Sequence, residues 1–250
     1  MKEFKTGLQL YNFRRELNQD FPGTLEKISR LGYRGVEFYG NYGGMEPRAL
    51  ADFLRKLGLQ CAGTMFKPEQ LEDQNSDAFE YAKALQSPAV TFGVFIDFAK
   101  EYQALQKRCE VIGKNAMHHG TVLSYHNHWL EFTLADGIPA MNRILEACNP
   151  AAVFLELDVC WLSRAGLDPA SYIRKYSQRI RQIHFKDIIV PDDPATTCEL
   201  GRGCIDLQGA YQAACESACE WLIYEQDNTT LTPWESAAIS LEYLHRLGAR

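Results

Sequence analysis

The chain has 250 residues, 46% of them hydrophobic and 23% charged, with a formal net charge of −6. That length and apolar content suit a large core and exclude a mainly disordered chain. The acidic balance weighs against nucleic acid as the partner, because phosphate backbones ask for a basic face, and with no apolar run long enough for a membrane span or a signal peptide the expected location is cytoplasmic.

Lys5–Leu10 reads as a first strand, ending in Gln9, Tyr11 and Asn12. A helix follows over about Thr24–Leu31, with Leu25, Ile28 and Leu31 on one side and Gly32 as its stop. Gly35–Phe38 is a second strand that carries Glu37 and Tyr39 on one face. Pro47–Leu57 is the second helix, with apolar residues at i, i+3, i+4 and i+7. Leu59–Thr64 is the third strand, Ser76–Gln86 the third helix and Ala89–Phe92 a short fourth strand. Asp97 is read as the cap of a long fourth helix, whose stripe runs from Phe98 through Tyr102, Leu105, Cys109 and Ile112 to Ala116. His118 and His119 close it as surface or capping residues.

Val122–His126 is the fifth strand, and Ile138–Cys148 the fifth helix. Val153–Asp158 is the sixth strand, and a helix capped by Asp168 with Pro169 in its first turn runs to about Ser177. Ile180–Lys186 is the seventh strand, followed by a long loop of turn formers and a helix opened by Asp206. Trp221–Tyr224 is the eighth strand, and Thr232 to Glu235 is a capping box opening the last helix. Strand then helix, eight times and without a break in composition, predicts an α/β fold: a single-domain (β/α)8 TIM barrel over residues 1–250. A doubly wound sheet is the runner-up, but no GxGxxG follows the first strand.

Barrel enzymes place their chemistry at the C-terminal strand ends. Those ends carry Gln9 and Tyr11, Glu37 and Tyr39, then His126, Asn127, His128 and Glu131. Further on come Glu156 and Asp158, His184 and Lys186, and Glu225 and Asp227. Most are two apart, so each pair can share the inward face. His126, Asp158, His184 and Glu225, from four successive strands, form a donor set suited to a divalent Mn, Co, Zn or Fe ion; pure oxygen ligation would have favoured Mg or Ca. The plain alternative for any one of them is a hydrogen-bonded core residue.

Lys186 shares the face of His184 and is expected to pair with a carboxylate, bind substrate oxygens, or act as a base if burial depresses its pKa. Asp187 is expected to be structural. Trp129, Trp161 and Phe132 could wall a sugar ring, and Arg202 between two glycines could bind a phosphate. The cysteines at 61, 109, 148, 160, 198, 204, 215 and 219 include no CxxC pair and read as small reduced residues, with Cys215 and Cys219 on one side of a helix. No GxSxG, P-loop or HExxH is present.

VEFYG, YHNHWLEF, LELDVCWLSRAG, IHFKD, ELGRGCID and IYEQD, in that order, resemble the sugar phosphate isomerase/epimerase family of the xylose isomerase-like TIM barrels over almost the whole chain. The resemblance implies a divalent ion, manganese first, held at Asp158, His184 and Glu225, with His126 where the family has a glutamate. That departure puts the family's two-glutamate proton transfer in doubt and leaves Glu131 as a substitute carboxylate. It implies an isomerase or epimerase of carbohydrate metabolism acting through an enediolate on a keto-sugar or related polyol. Glu225 would be the base, and Lys186, Glu131 or His128 the partner acid. Glu37, Tyr11, His128, Trp129 and Arg202 would contact the substrate. A keto-sugar or inosose-type dehydratase using the same site is the alternative; Zn, Co, Fe or Mg could replace Mn. A sugar-binding barrel without catalysis and a repair endonuclease are remoter readings. The expected partner is a small carbohydrate, with no nucleic acid and no membrane; a homo-oligomer is left open.

Overall fold

The structure is a computed structural model that describes residues 2–250. Eight parallel strands form a closed barrel. They are β1 (Lys5–Gln9), β2 (Gly35–Phe38), β3 (Gln60–Met65), β4 (Val90–Phe92), β5 (Leu123–His126), β6 (Val153–Asp158), β7 (Ile180–Phe185) and β8 (Trp221–Tyr224). β1 pairs with both β2 and β8, which closes the sheet. The main covering helices are α1 (Phe21–Leu31), α2 (Pro47–Leu57), α3 (Ala78–Leu85), α4 (Phe98–His118), α5 (Ala140–Ala147), α6 (Pro169–Lys175), α7 (Leu207–Ala214) and α8 (Pro233–Leu247). The (β/α)8 barrel expected from the alternation is the fold observed.

The large apolar core lies between the sheet and the helices. Leu8, Val36 and Leu155 on the strands meet Leu25, Leu50, Ile112 and Leu244 on the helices, all fully buried. Inside the barrel the apolar cluster is small, Ala62 with Trp221 and Ile223. Above it the interior is polar: Gln9, Glu37, Thr91, Glu156, Asp158, Gln182 and His184 are all fully buried. This inversion, apolar outside the sheet and polar within its upper half, is what positions a site. The period-2 alternation of β6 and β7 sends Leu155, Leu157, Ile183 and Phe185 outward, and Glu156, Asp158, Gln182 and His184 inward.

Several local readings change. The first helix starts three residues early: the Asp20 carboxylate accepts from the Gly23 amide at 3.0 Å and sets the start at Phe21, after a short helix over Arg14–Gln19. Asp97 does not cap α4 with its side chain; the carboxylate is 2.7 Å from the Lys100 ammonium instead. The fifth helix does not begin at Ile138. Leu134–Ala135 and Ile138–Pro139 form a hairpin across Asp136 (φ 50°) and Gly137 (φ 80°), and α5 starts at Ala140. Two positive φ values in a two-residue loop are what Asp-Gly favours. α7 ends at Ala214, so Cys215 and Cys219 do not share a helix face; all eight cysteines are free thiols. The loop after β7 contains a second hairpin, Asp187–Ile188 with Thr197–Cys198. Among the described residues, no helix is long and apolar enough to cross a membrane.

Candidate functional site

The C-terminal mouth of the barrel opens into a cavity of about 760 Å3. Its polar lining includes Gln9, Lys67, His126, His128, Glu225 and Asp227, and its aromatic wall includes Tyr11, Tyr39, Phe66, Phe95, Trp129 and Trp161. The opposite mouth holds a cavity of about 530 Å3 lined by Lys5, Arg55, Arg181 and Trp221, with no comparable meeting of imidazoles and carboxylates.

His126, Asp158, His184 and Glu225 converge at the inner end of the first cavity. One donor atom from each lies within 4.8 Å of every other, and all four residues are buried. The strand register explains the meeting, since Asp158 pairs with His184 across β6 and β7. Asn127 ties β5 to β6 by accepting from the Asp158 amide at 3.1 Å. Gly93 makes room beside β5, because a Cβ there would lie 2.8 Å from the His126 carbonyl. The His184 ring stands between two levels: Nδ1 is 2.8 Å from Oε2 of Glu225, and Nε2 is 2.6 Å from Oε2 of Glu37.

These residues fit a divalent cation. Two imidazoles and two carboxylates make a borderline-hard donor set. Asp158 Oδ2 is buried with only the Lys186 ammonium near it, at 3.3 Å, and His126 Nδ1 faces Glu156 Oε1 at 3.1 Å, so a lone pair of that Asp158 oxygen and His126 Nε2 are left for a cation. Asp158 Oδ1 is engaged elsewhere, accepting from the Trp161 amide at 2.9 Å as the cap of the Val159–Arg164 helix, so Oδ2, shared with Lys186, is the oxygen that would face a cation. Between the two candidates for the fourth position, His126 stands in the cluster and Glu131 does not. Glu131 is fully buried, 3.2 Å from the Tyr125 hydroxyl and 3.5 Å from His128 Nδ1, so it backs His128 rather than facing the cavity.

Three further expectations change. Lys186 is only 1% exposed and lies outside the cavity lining. Its ammonium stands 3.3 Å from Asp158, 3.0 Å from Glu225 and 3.1 Å from Asp227, with the Trp161 ring centroid 4.6 Å away. Burial alone would lower its pKa, but those carboxylates outweigh it and hold it well above the ordinary lysine value, so Lys186 is a cation and not a base. Glu37 is sealed beneath His184, so it does not reach a ligand in the cavity. Arg202 is tied to Glu199 at 3.0 Å, away from the cavity lining.

Asp187 explains the Arg202 loop. Its carboxylate accepts from the amides of Gly201, Gly203 and Ile205, at 2.9, 3.0 and 3.2 Å. Tyr11 and Trp129 do line the cavity, with one face of Trp129 covered by the Arg164 guanidinium at 3.9 Å. Phe132 is buried against Tyr172 and takes no part in the wall. Phe95, 63% exposed and tilted over His128 at 4.1 Å, is a wall residue for which the sequence carried no signal. Asp227 stood among the polar strand ends with no role assigned; it lines the cavity on the Lys186 side.

The charges are mutually arranged. Burial opposes ionisation of Glu225, but Lys186 and His184 outweigh it and hold the carboxyl well below the usual range. Burial also pulls the His184 pKa down, while Glu156, Glu37 and Glu225 together push it well up. Glu37 is pushed well up by its burial and by Glu156. Glu156 is held ionised, with His184 and His126 overcoming the cost of burial.

Fold and site together define a (β/α)8 barrel with a cation-competent cluster at the base of an aromatic-walled cavity. The chain belongs to the xylose isomerase-like TIM barrel family, whose sequence profile matches residues 25–247. Among its relatives is a protein named inosose dehydratase from Mesomycoplasma hyopneumoniae strain 7448, 28% identical over 67% of this chain. The chain spans only 62% of that relative's length. Another inosose dehydratase, from Lacticaseibacillus casei, is 25% identical over 90% of this chain and 88% of its own. A crystal structure of a sugar phosphate isomerase/epimerase from Parabacteroides distasonis superposes with a TM-score of 0.80 at 19% identity, covering 99% of this chain and 95% of the other.

Proposed function

We propose that the chain is a divalent-metal-dependent enzyme that removes the proton beside the carbonyl of a keto-sugar or keto-polyol and then expels the hydroxyl one carbon further on as water. The observation that carries this reading is the convergence of His126, Asp158, His184 and Glu225 at the base of a cavity with an aromatic wall. Those four side chains would hold the ion. A bound divalent ion would draw electron density from the carbonyl and make the neighbouring C–H more acidic.

Glu225 is ionised and lines the cavity, so it is placed to take the proton. His128 also lines the cavity, backed by Glu131 at 3.5 Å, and would protonate the departing hydroxyl. Lys186 stays one layer back, where its charge keeps Glu225 ionised and holds Asp227 in place. Tyr11, Tyr39, Trp129 and Phe95 exclude water and offer ring faces to the C–H surface of a sugar. The inosose dehydratase names of the relatives support loss of water. Isomerisation or epimerisation is the second reading. It is favoured by the presence of both Glu225 and His128 at the cavity, since the same pair could return the proton to carbon.

Asp158→Asn tests the core of the proposal, because asparagine keeps the helix cap and removes the charge. Metal content by elemental analysis should fall to background, and turnover of a keto-inositol or keto-hexose should fall at least ~100-fold. Full metal content with full turnover would reject the site. The mass of the wild-type product separates the two outcomes: loss of one water means dehydration, unchanged mass means isomerisation or epimerisation.

A further inference from the structure

Directly beneath the cavity floor lies a buried polar layer that reaches the cavity lining only through Gln9. Gln9 on β1, Glu37 on β2, Thr91 on β4 and Glu156 on β6 are each fully buried. The two carboxylates meet the undersides of the two histidines. Glu37 Oε2 is 2.6 Å from His184 Nε2 and is held from the other side by the Gln9 amide at 2.8 Å. Glu156 Oε1 lies 3.1 Å from His126 Nδ1 and 3.2 Å from His184 Nε2, while its Oε2 accepts from the Thr91 hydroxyl at 3.2 Å. Room for this layer is built into β3: a Cβ on residue 63 would sit 1.9 Å from Glu37 Oε1, and glycine stands there.

The geometry points to a positioning role for this layer. We infer that Glu37 and Glu156 fix the two imidazole ligands from below, Glu37 turning Nδ1 of His184 and Glu156 turning Nε2 of His126 toward one cation. This rests on the reading of the cluster as a metal centre. The physical reason is general: a ligating histidine must present a lone pair on one nitrogen, and an acceptor on the other nitrogen selects that tautomer and holds the ring plane. Here a single carboxylate, Glu156, is within reach of both rings, so the two ligands are set by one connected layer and not by separate partners. The rival occupant of this layer is a second cation held by Glu37, Glu156 and His184, whose donor atoms also lie within 4.8 Å of one another.

The test titrates the metal-free chain with Mn2+ and with Zn2+, and reads the imidazole nitrogen NMR shifts of the Zn2+-loaded protein. Wild type should bind one ion per chain, with His184 protonated on Nε2 and His126 on Nδ1. Glu37→Ala should weaken affinity about 10–100-fold. Glu37→Gln, whose amide oxygen still accepts from Nε2, should recover most of the loss, and Glu156→Ala should shift the tautomers of both rings. Unchanged affinity in Glu37→Ala, glutamine as poor as alanine, opposite tautomers in the wild type, or two ions per chain would each overturn the inference. Where an alanine variant does not fold, the wild-type tautomers and the glutamine variant decide. Asp158→Asn separates the two levels of the argument. If it binds the ion as wild type does, the metal-centre reading itself fails; if it abolishes binding while Glu37→Ala does not weaken it, only the positioning role fails.

Discussion

Lys186 shows how a single side chain takes its character from its surroundings. The sequence places it two residues after His184, on the same face. Burial by itself would have made it a weak cation and a usable base. Three carboxylates within 3.3 Å reverse that, and they arrive from β6 and from the end of β8. Removing the ammonium strands them. Lys186→Met should therefore destabilise the chain by about 3–5 kcal/mol in urea unfolding, because a broken buried pair leaves uncompensated charge. The pH dependence follows from Glu225. Its native pKa is depressed, so the ionised form contributes stability that is fully present above the unfolded value of about 4.3 and is lost as pH falls through the lower native value. Metal-free wild type should lose this contribution only below about pH 4.3, and Lys186→Met should unfold at a higher pH in an acid titration. His126 and Glu131 follow the same logic. One was a candidate from spacing and the other from the resemblance, and depth within the fold separates them: one enters the cluster and the other turns back onto Tyr125.

At the scale of elements, local chemistry was legible wherever it acted within a few residues. Pro47 and Gly58 bound α2 where the pattern puts them, and Thr232 with Glu235 closes the capping box of α8. Asp168 accepts from the Ser171 amide at 2.7 Å, with Pro169 at the first helical position. Asp168→Ala should cost about 1 kcal/mol in urea unfolding and leave metal binding unchanged. Asp97 is the instructive failure. The residue type is right for a cap, but an exposed carboxylate one turn from Lys100 has another partner, and it takes that one. The hairpin at Asp136-Gly137 was readable in principle, since Asp-Gly between short apolar pairs is a turn signal; the apolar spacing from Ile138 onward resembled a helix and masked it. Strand spans such as Gly35–Phe38, Val153–Asp158 and Trp221–Tyr224 agree with the structure residue for residue, because both ends of each are marked by turn formers or a change of period.

The whole molecule closes a sheet whose upper interior is polar, and its stability should be linked to what that interior holds. If the cluster binds one ion, adding Mn2+ at a hundred times its dissociation constant should stabilise the metal-free chain by about 2.7 kcal/mol. For a chain of this size that is a rise of roughly 5–10 °C in Tm, absent in Asp158→Asn and reversed by a chelator. Gly63→Ala tests the barrel from the other direction. Its Cβ would overlap Glu37 and approach Gln182 at 2.8 Å. Overpacking should cost about 1–3 kcal/mol and weaken ion binding through His184, as read by calorimetric titration.

The sequence by itself determined the architecture and the identity of the cluster. Alternating strand and helix periods, each terminated locally, specify eight βα units, and two-residue spacing at strand ends marks which polar residues point inward. Both signals are short-range, so they survive in one dimension. Depth, protonation and partnership were decided only by tertiary structure. Glu37 was expected at the substrate and lies under His184, 147 residues away in the chain. Arg202 was expected to hold an anion and pairs with Glu199. Lys186 was open between base and cation and became a cation. For Glu37 and Lys186 the deciding quantity is the field and the desolvation created by groups from other strands, which exist as neighbours only after the barrel has closed; for Arg202 it is where the loop places the residue, beside Glu199 and away from the cavity.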